Sequence, residues 1–222
     1  MSNNKLNPFE RLFKLQATVG KLVLDGKRDP ELIASIFQKI VDENSFETVA
    51  ATPTTAKWEV RDGVIYVTLP ASDGTTGQGW IKRLKSKGFR LSEYAEGLLQ
   101  SSDFKPTTGI VHRLAILSAK FWSDSERITR TIRAEGKKRK WNELNPEAIC
   151  ILRENFSDED LEKMGFWYIV GIHEPIEVYG GPHFLYAYRR DDGRWLLTYW
   201  AYPDHYWQDG SAFAWSLPQV QS

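Results

Sequence analysis

The stretch GRWLLTYWAYPDHYWQDGSAFAW, from Gly193 to Trp215, is the most informative part of this sequence of 222 residues. Eight of the 21 residues from Trp195 to Trp215 are Trp, Tyr or Phe, and no Lys lies among them. Such rings each bury on the order of 150–250 Å² when they pack, so a folded chain hides many of them. We expect some of these rings in the core and the others on a binding surface, where Tyr, Ser, Gly and Asp are frequent contact residues.

The pattern of residues in and just before this stretch predicts the last strands of a sheet. Phe184–Tyr188 and Trp195–Trp200 flank a turn at Asp191–Gly193, and Ala212–Leu217 has the composition of a final strand. Upstream, the continuous apolar run FWYIVGI over residues 166–172 is typical of a central strand. These patterns predict an α+β domain whose C-terminal sheet is antiparallel.

Turn and capping signals predict the remainder of this domain. Asp62-Gly63 lies between two runs of β-branched and aromatic residues, as in a tight hairpin. Ser92 and Ser157 are suited to cap helices, and Asn145-Pro146-Glu147 is typical of a further helix start. The domain therefore mixes strands and amphipathic helices.

The N-terminal region predicts a helical hairpin over residues 1–43. Apolar positions from Leu6 to Leu24 share one helical face before a stop at Asp25-Gly26, and Asp29-Pro30-Glu31 resembles the start of a second helix. Residues 44–57 lack periodicity and are predicted to form a linker. The main domain then covers 58–222, with an aromatic binding region at 193–215.

Composition limits the classes of function. Cys150 is the only cysteine, which excludes an internal disulfide and a multi-thiolate metal site, and its apolar neighbours predict burial. No apolar run approaches the ~18–20 residues that cross a bilayer, and the first residues lack a signal-peptide layout, so we expect a cytoplasmic protein. We expect no cofactor and no bound metal.

A basic segment supports an alternative hypothesis, a nucleic-acid-binding or regulatory protein. Ser123 to Glu126 matches a capping box that would open a helix over 124–140. The cations of this helix suited to a phosphate backbone are Arg127, Arg130, Arg133, Lys137, Lys138, Arg139 and Lys140. Cations near a helix C-terminus also simply offset the macrodipole, and no stacking platform of rings is interleaved here.

A third hypothesis is a small metal-dependent hydrolase. His173, Glu174, His183 and His205 are predicted at strand ends and in a loop, where they could converge. No pair of histidines has the i, i+4 spacing of a helical metal site. Scattered histidines of this kind are more often structural.

The tail also resembles a known family. Trp195, Leu196, Trp200, Pro203 and Trp207, closed by Phe213-Ala214-Trp215, resemble the variable C-termini of target proteins of diversity-generating retroelements, and the rest of the chain resembles a group of bacterial hypothetical proteins with this ending. The resemblance implies a C-type-lectin-like fold and a reverse transcriptase that rewrites Asn codons. That family usually ends in Gly-Phe-Arg, where this chain has Gly210-Ser211-Ala212-Phe213.

The resemblance implies a division of the tail into exchangeable and scaffold positions. The positions reachable from Asn codons, and thus implied to contact a ligand, are Leu197, Tyr199, Ala201, Tyr202, Asp204, His205, Tyr206, Asp209, Gly210 and Ser211. The implied scaffold comprises Trp195, Trp200, Trp207, Phe213 and Trp215. The leading hypothesis is a non-enzymatic ligand-binding protein whose partner is another protein.

Overall fold

The chain divides into two units in the computed structural model, Met1–Thr55 and Ala56–Ser222. The structure describes residues 18–19, 21–27, 29–31, 33–34 and 57–218, so most of the predicted hairpin and linker lie outside the described residues. Within the first unit, Gly26 has a φ of 67° at the predicted helix stop. The amide of Glu31 donates to Asp29 Oδ1 at 2.9 Å, which is the bond that a helix N-cap accepts.

A nine-stranded sheet organises the second unit. Its strands are β1 (Glu59–Arg61), β2 (Val64–Asp73), β3 (Arg90–Leu91), β4 (Thr108–Ser118), β5 (Tyr168–Gly171), β6 (Ile176–Val178), β7 (Gly181–Arg190), β8 (Gly193–Trp200) and β9 (Ser211–Ser216). Their order is β1-β2-β4-β9-β5-β7-β8-β3, and β6 pairs with β7. The α+β class is confirmed.

The sheet is mixed, which corrects the prediction that it is antiparallel throughout its C-terminal part. Strand β9 is antiparallel to β4 but parallel to β5, and β3 is parallel to β8. The reason is topological: the hairpin β7–β8 occupies one edge of β5, and residues 201–210 then carry the chain back across the sheet. Strand β9 therefore enters beside β5 in the same direction.

Local signals in the sequence are realised where they were predicted. Asp62 and Gly63 have φ values of 51° and 73°, so the β1–β2 turn uses the left-handed backbone that Asp-Gly pairs tolerate. Ser92 Oγ accepts from Ala95 N, and Ser157 Oγ from Asp160 N, each at 3.1 Å. The α-helices of this unit are α1 (Gly77–Ser86), α2 (Glu93–Gln100), α3 (Thr129–Lys138), α4 (Glu147–Asn155) and α5 (Asp158–Lys163).

The predicted start of the basic helix is wrong. The capping box at Ser123 forms, but it closes only a 3₁₀ turn over Asp124–Glu126, and α3 begins at Thr129. Between them Ile128 is extended and forms a β-bridge with Tyr206. A long-range pairing therefore interrupts what the local sequence would continue as one helix.

The sheet has an apolar core on each face. The first core gathers Leu185, Ala187 and Leu196 with the apolar sides of α1, α2 and α4, including the buried Cys150, whose burial was predicted. The second core contains Phe213 and is closed by α3 and residues 201–210. In the part of the chain that the structure describes, no helix has the length and apolar character of a membrane span.

Candidate functional site

One wall of the candidate site is a sheet face rich in tyrosine. Side chains alternate between the two faces of a strand, so Tyr186 and Tyr188 of β7 lie on the same face. The register places Tyr168 of β5 opposite Tyr188, and Tyr199 of β8 opposite Phe184, on that face as well. Four tyrosines from three strands therefore lie together.

The other wall is the connection formed by residues 201–210. Strands β8 and β9 run in the same direction, so the chain has to cross the sheet face between them. The amide of Thr129, in the first turn of α3, donates to the carbonyl of His205 at 3.1 Å. The indole Nε1 of Trp207 donates in turn to Thr129 Oγ1 at 3.0 Å. This connection therefore satisfies the otherwise uncapped start of α3 and is fixed by it.

A cleft of about 360 Å³ lies between these walls. We call it the tyrosine cleft, and its lining residues are Tyr168, Tyr186, Tyr188, Tyr199, His205, Tyr206, Trp207 and Gln208. None of these lining residues is Asp, Glu, Lys or Arg. The cleft thus offers ring faces, phenol hydroxyls, one imidazole and one amide.

The rings of the cleft hold one another in place. The centroid of Tyr199 lies 4.6 Å from that of His205 and 5.6 Å from that of Trp207, and His205 and Trp207 are 4.7 Å apart. On the sheet wall, Tyr168 and Tyr186 are 5.4 Å apart. Because packed rings have few other rotamers to adopt, the cleft is largely formed before any ligand arrives.

Burial keeps the cleft uncharged at neutral pH. It lowers the pKa of His205 below the ordinary value of 6.5, so that imidazole is neutral. Burial is also the main cause that raises the pKa of Tyr168 and of Tyr186, which keeps both phenols protonated. Positive charge lies next to the cleft, where the guanidinium groups of the buried Arg127 and of Arg190 stand 5.7 and 5.9 Å from the rings of Tyr206 and Tyr188.

The predicted ligand-contact residues fall in several places. Tyr199, His205 and Tyr206 line the tyrosine cleft. Tyr202 lies outside that lining and stacks on Trp200 at 5.5 Å. The exposed acids beside them are Asp204, which forms an ion pair with Arg130, and Asp209.

Four other predicted contact positions do not present a free side chain. Ala201 and Ser211 are buried, and the Ser211 hydroxyl donates to the carbonyl of Gln208 at 2.5 Å. Leu197 is half-buried and packs on the second core. Gly210 is also half-buried, and a Cβ there would lie 2.8 Å from the ring of Trp167. The prediction fails for Ala201 and Ser211 because they are the points where the connection joins the sheet.

The predicted scaffold is realised in part. Trp207, Phe213 and Trp215 are buried and belong to the second core. Trp195 and Trp200, which the resemblance assigns to the scaffold, are only half-buried. The Trp195 indole instead donates to Asp192 Oδ1 at 3.0 Å, near the β7–β8 turn.

Sequence reasoning missed the sheet wall of the cleft. Tyr168, Tyr186, Tyr188 and Gln208 were not among the predicted site residues. The spacing of Tyr186 and Tyr188 indicates a shared face, but only the register of β5, β7 and β8 brings Tyr168 and Tyr199 beside them.

The cations of the basic segment are largely engaged within the fold. Arg127 is buried and pairs with Asp124, Arg130 pairs with Asp204, and Arg133 pairs with Glu143 and Glu174. Glu135 lies within ion-pair distance of two more, at 2.7 Å from Arg139 and 3.6 Å from Lys138. Cations already neutralised in this way have less to gain from a phosphate backbone.

The predicted metal ligands do not converge. His173 is fully buried, with Nε2 accepting from Leu185 N at 2.9 Å and Nδ1 lying 2.7 Å from the carbonyl of Glu174. His183 is held through Nδ1 by the carbonyl of Gly181 at 2.8 Å. No group of three potential metal ligands exists among the residues that were described, which gives the hydrolase hypothesis no support.

No family model, curated protein or solved structure matches this chain. The resemblance of the tail to retroelement target proteins, with its C-type-lectin-like fold, therefore stays a prediction. The site has to be interpreted from its own chemistry.

Proposed function

We propose that this protein is a non-enzymatic binding protein and that the tyrosine cleft and its rim form the binding surface. The observation that carries the proposal is the cleft itself: a preformed space of about 360 Å³, lined mainly by tyrosine rings and free of charge inside. Pockets that take ligands are usually largely preformed, apolar and furnished with a few polar groups. The tyrosine hydroxyls and Gln208 supply those groups.

The partner under this proposal is another protein. Tyr199, Tyr202 and Tyr206 are 42%, 47% and 50% exposed, so three large rings of one short segment face solvent. Exposed apolar area that is clustered in this way often marks an interaction site. Tyrosine is enriched at protein interfaces because it offers a large rigid area and a hydroxyl at a low cost in conformational entropy. A side chain of the partner inserted into the cleft would form the buried centre of such an interface.

Diversification by a retroelement belongs to the same proposal. Tyr199, Tyr202, Asp204, Tyr206 and Asp209 are exposed, so substitutions there leave the two cores intact. Sequences of sibling genes test this part directly. We expect substitutions to concentrate at these positions and to spare Trp207, whereas substitutions spread evenly along the chain would contradict diversification.

Binding is tested with a random-peptide phage library selected on the immobilised full chain. We expect the selected peptides to lose about thirtyfold in affinity when Tyr206 or Tyr199 is replaced by Ala, which corresponds to a hot spot of about 2 kcal/mol. Phe121→Ala is the matched control, because Phe121 is as exposed as Tyr206 but lies outside the lining of the cleft. Selected peptides whose affinity is equal for all four proteins would contradict the proposal.

A further inference from the structure

Strand β8 has an outer edge that is only partly paired. The short strand β3 pairs with Trp195 and Leu196, and the amide of Ser92 then donates to the carbonyl of Leu196 at 3.4 Å. Ser92 is also the N-cap of α2, so the chain stops pairing with β8 at this point and continues as a helix that packs on one face of the sheet. From Leu197 to Trp200, no strand among residues 57–218 pairs with this side of β8.

Two residues direct their peptide groups toward this open edge. Successive residues of a strand direct their peptide groups to opposite sides. The backbone carbonyl of Leu196 points outward to the amide of Ser92. The backbone N–H and C=O groups of Thr198 and Trp200 therefore point outward as well. The next inward bond agrees with this alternation, since Ala201 N donates to the carbonyl of Pro182 at 2.8 Å. The edge thus presents donors and acceptors at the spacing that an extended chain matches.

A second cleft, of about 340 Å³, lies along the same edge. Tyr94, Thr198 and Trp200 line it, and it shares Tyr186 and Tyr199 with the tyrosine cleft. The hydroxyl Oγ1 of Thr198 is shielded from solvent and has no hydrogen-bond partner in the part of the chain that the structure describes. Buried polar atoms are normally bonded, so this atom indicates a missing partner.

The edge segment of β8 also lacks the residues and bulges that usually protect against pairing. Natural proteins guard free edges with Lys, Pro, inward charges or bulges. The segment Leu197-Thr198-Tyr199-Trp200 contains no charged residue and no proline, and its pairing with β7 is regular. An unpaired edge of this composition is suited to accept another strand.

We propose that the partner binds as an extended polypeptide segment that adds a strand to β8 along Thr198 and Trp200. Its side chains would reach the two clefts, which share Tyr186 and Tyr199, and we expect these side chains to be uncharged because the lining of both clefts is uncharged. This inference rests on the proposed function and specifies how the partner binds. A nucleic acid or a sugar has no backbone with alternating amide donors and acceptors at strand spacing.

The test uses Thr198→Pro and Thr198→Val with peptides selected on the unmodified protein. Proline removes the hydroxyl of Thr198 together with its outward N–H, and it leaves the backbone bonds to β7 in place, which is why edge strands tolerate it. Valine keeps that N–H and removes the hydroxyl. We expect Thr198→Pro to weaken binding about tenfold or more, and Thr198→Val to weaken it by clearly less.

Two further measurements do not depend on the folding of the proline variant. Bound peptide should slow amide hydrogen exchange at Thr198 and Trp200 in the unmodified protein. The peptide's backbone nitrogens can also be methylated one at a time. Methylation should abolish binding at every second residue of the peptide, whereas methylation at the residues between should leave binding intact. Both patterns follow from the alternation of bonds in a strand pair.

The outcomes separate this inference from the proposed function. Peptides that need Tyr206 but bind equally well to Thr198→Pro and tolerate backbone methylation would overturn strand addition and leave the proposed function standing. Peptides indifferent to both sites would overturn both. A protein that dimerises without peptide, and loses the dimer in Thr198→Pro, would assign the edge to a second copy of this chain and overturn the inference.

Discussion

Replacement of Trp207 by Ala should distinguish the scaffold of the proposed binding surface from its proposed contact residues. Trp207 is 2% exposed, its ring lies 5.5 Å from that of Phe213, and its indole donates to the buried hydroxyl of Thr129. Truncation of a buried tryptophan costs about 3–5 kcal/mol in free energy of unfolding. The adjacent Tyr206 is 50% exposed, so Tyr206→Ala forfeits about half the burial of a buried ring and should cost about 1–2 kcal/mol.

Urea unfolding measures both costs, because the midpoint shifts in proportion to stability while the slope stays constant. The hydrogen bond is isolated by a double-mutant cycle of Trp207→Phe and Thr129→Val. We expect a coupling energy of about 1 kcal/mol, the typical net value of a hydrogen bond. Each single variant should also show the cost of leaving a buried polar atom of the other residue without a partner.

Two results would refute this reasoning. Equal losses of stability for Trp207→Ala and Tyr206→Ala would mean that the connection over residues 201–210 is not anchored at its buried ring. A coupling energy near zero between Trp207 and Thr129 would mean that the link between this connection and α3 contributes nothing.

Two further predictions concern the framework. Burial lowers the pKa of His173 from 6.5 to about 4, so the unfolded chain binds a proton between these values that the folded chain does not. Stability present above pH 6.5 should therefore fall by about 3 kcal/mol by pH 4. His173→Gln, which can still accept from Leu185 N, should flatten that slope in urea unfolding, and unchanged slopes would contradict it. Gly136→Ala should destabilise by about 1–3 kcal/mol despite the helix propensity of Ala, because the new Cβ would collide with Trp215. Gly97→Ala, which faces an exposed side chain, is the control, and equal effects at the two glycines would contradict the clash.

The features that the sequence could predict are those decided within a few residues. The Asp62-Gly63 turn depends on two residues that accept positive φ, and the caps at Ser92 and Ser157 depend on one hydroxyl and the amide three positions later. The box at Ser123 obeys the same local rule and forms. It fails to open a long helix because Ile128 pairs with Tyr206, far away in the sequence.

Long-range pairing also limits what the sequence predicts about the candidate site, because only the site residues in the C-terminal aromatic stretch could be predicted. Tyr199, His205 and Tyr206 lie in the aromatic stretch that attracts attention by composition alone. Tyr168 and Tyr188 join them through the pairing of β5 with β7, and nothing near either residue in sequence indicates that pairing. Composition predicts the aromatic segment of the candidate site, whereas the register of the strands determines which residues that segment faces.

Topology accounts for the position of the proposed binding surface. Strands β5 and β9 are parallel neighbours, and the hairpin β7–β8 lies between them in sequence, so the chain must return across the sheet before β9. That return is fixed at both ends by the buried Ala201 and Ser211 and near its middle by Trp207. The residues from Tyr202 to Tyr206 therefore span between anchors and expose most of their side chains above a face of tyrosines. Substitution within this span changes exposed side chains at little cost to the core, which is the arrangement that the proposed binding role requires.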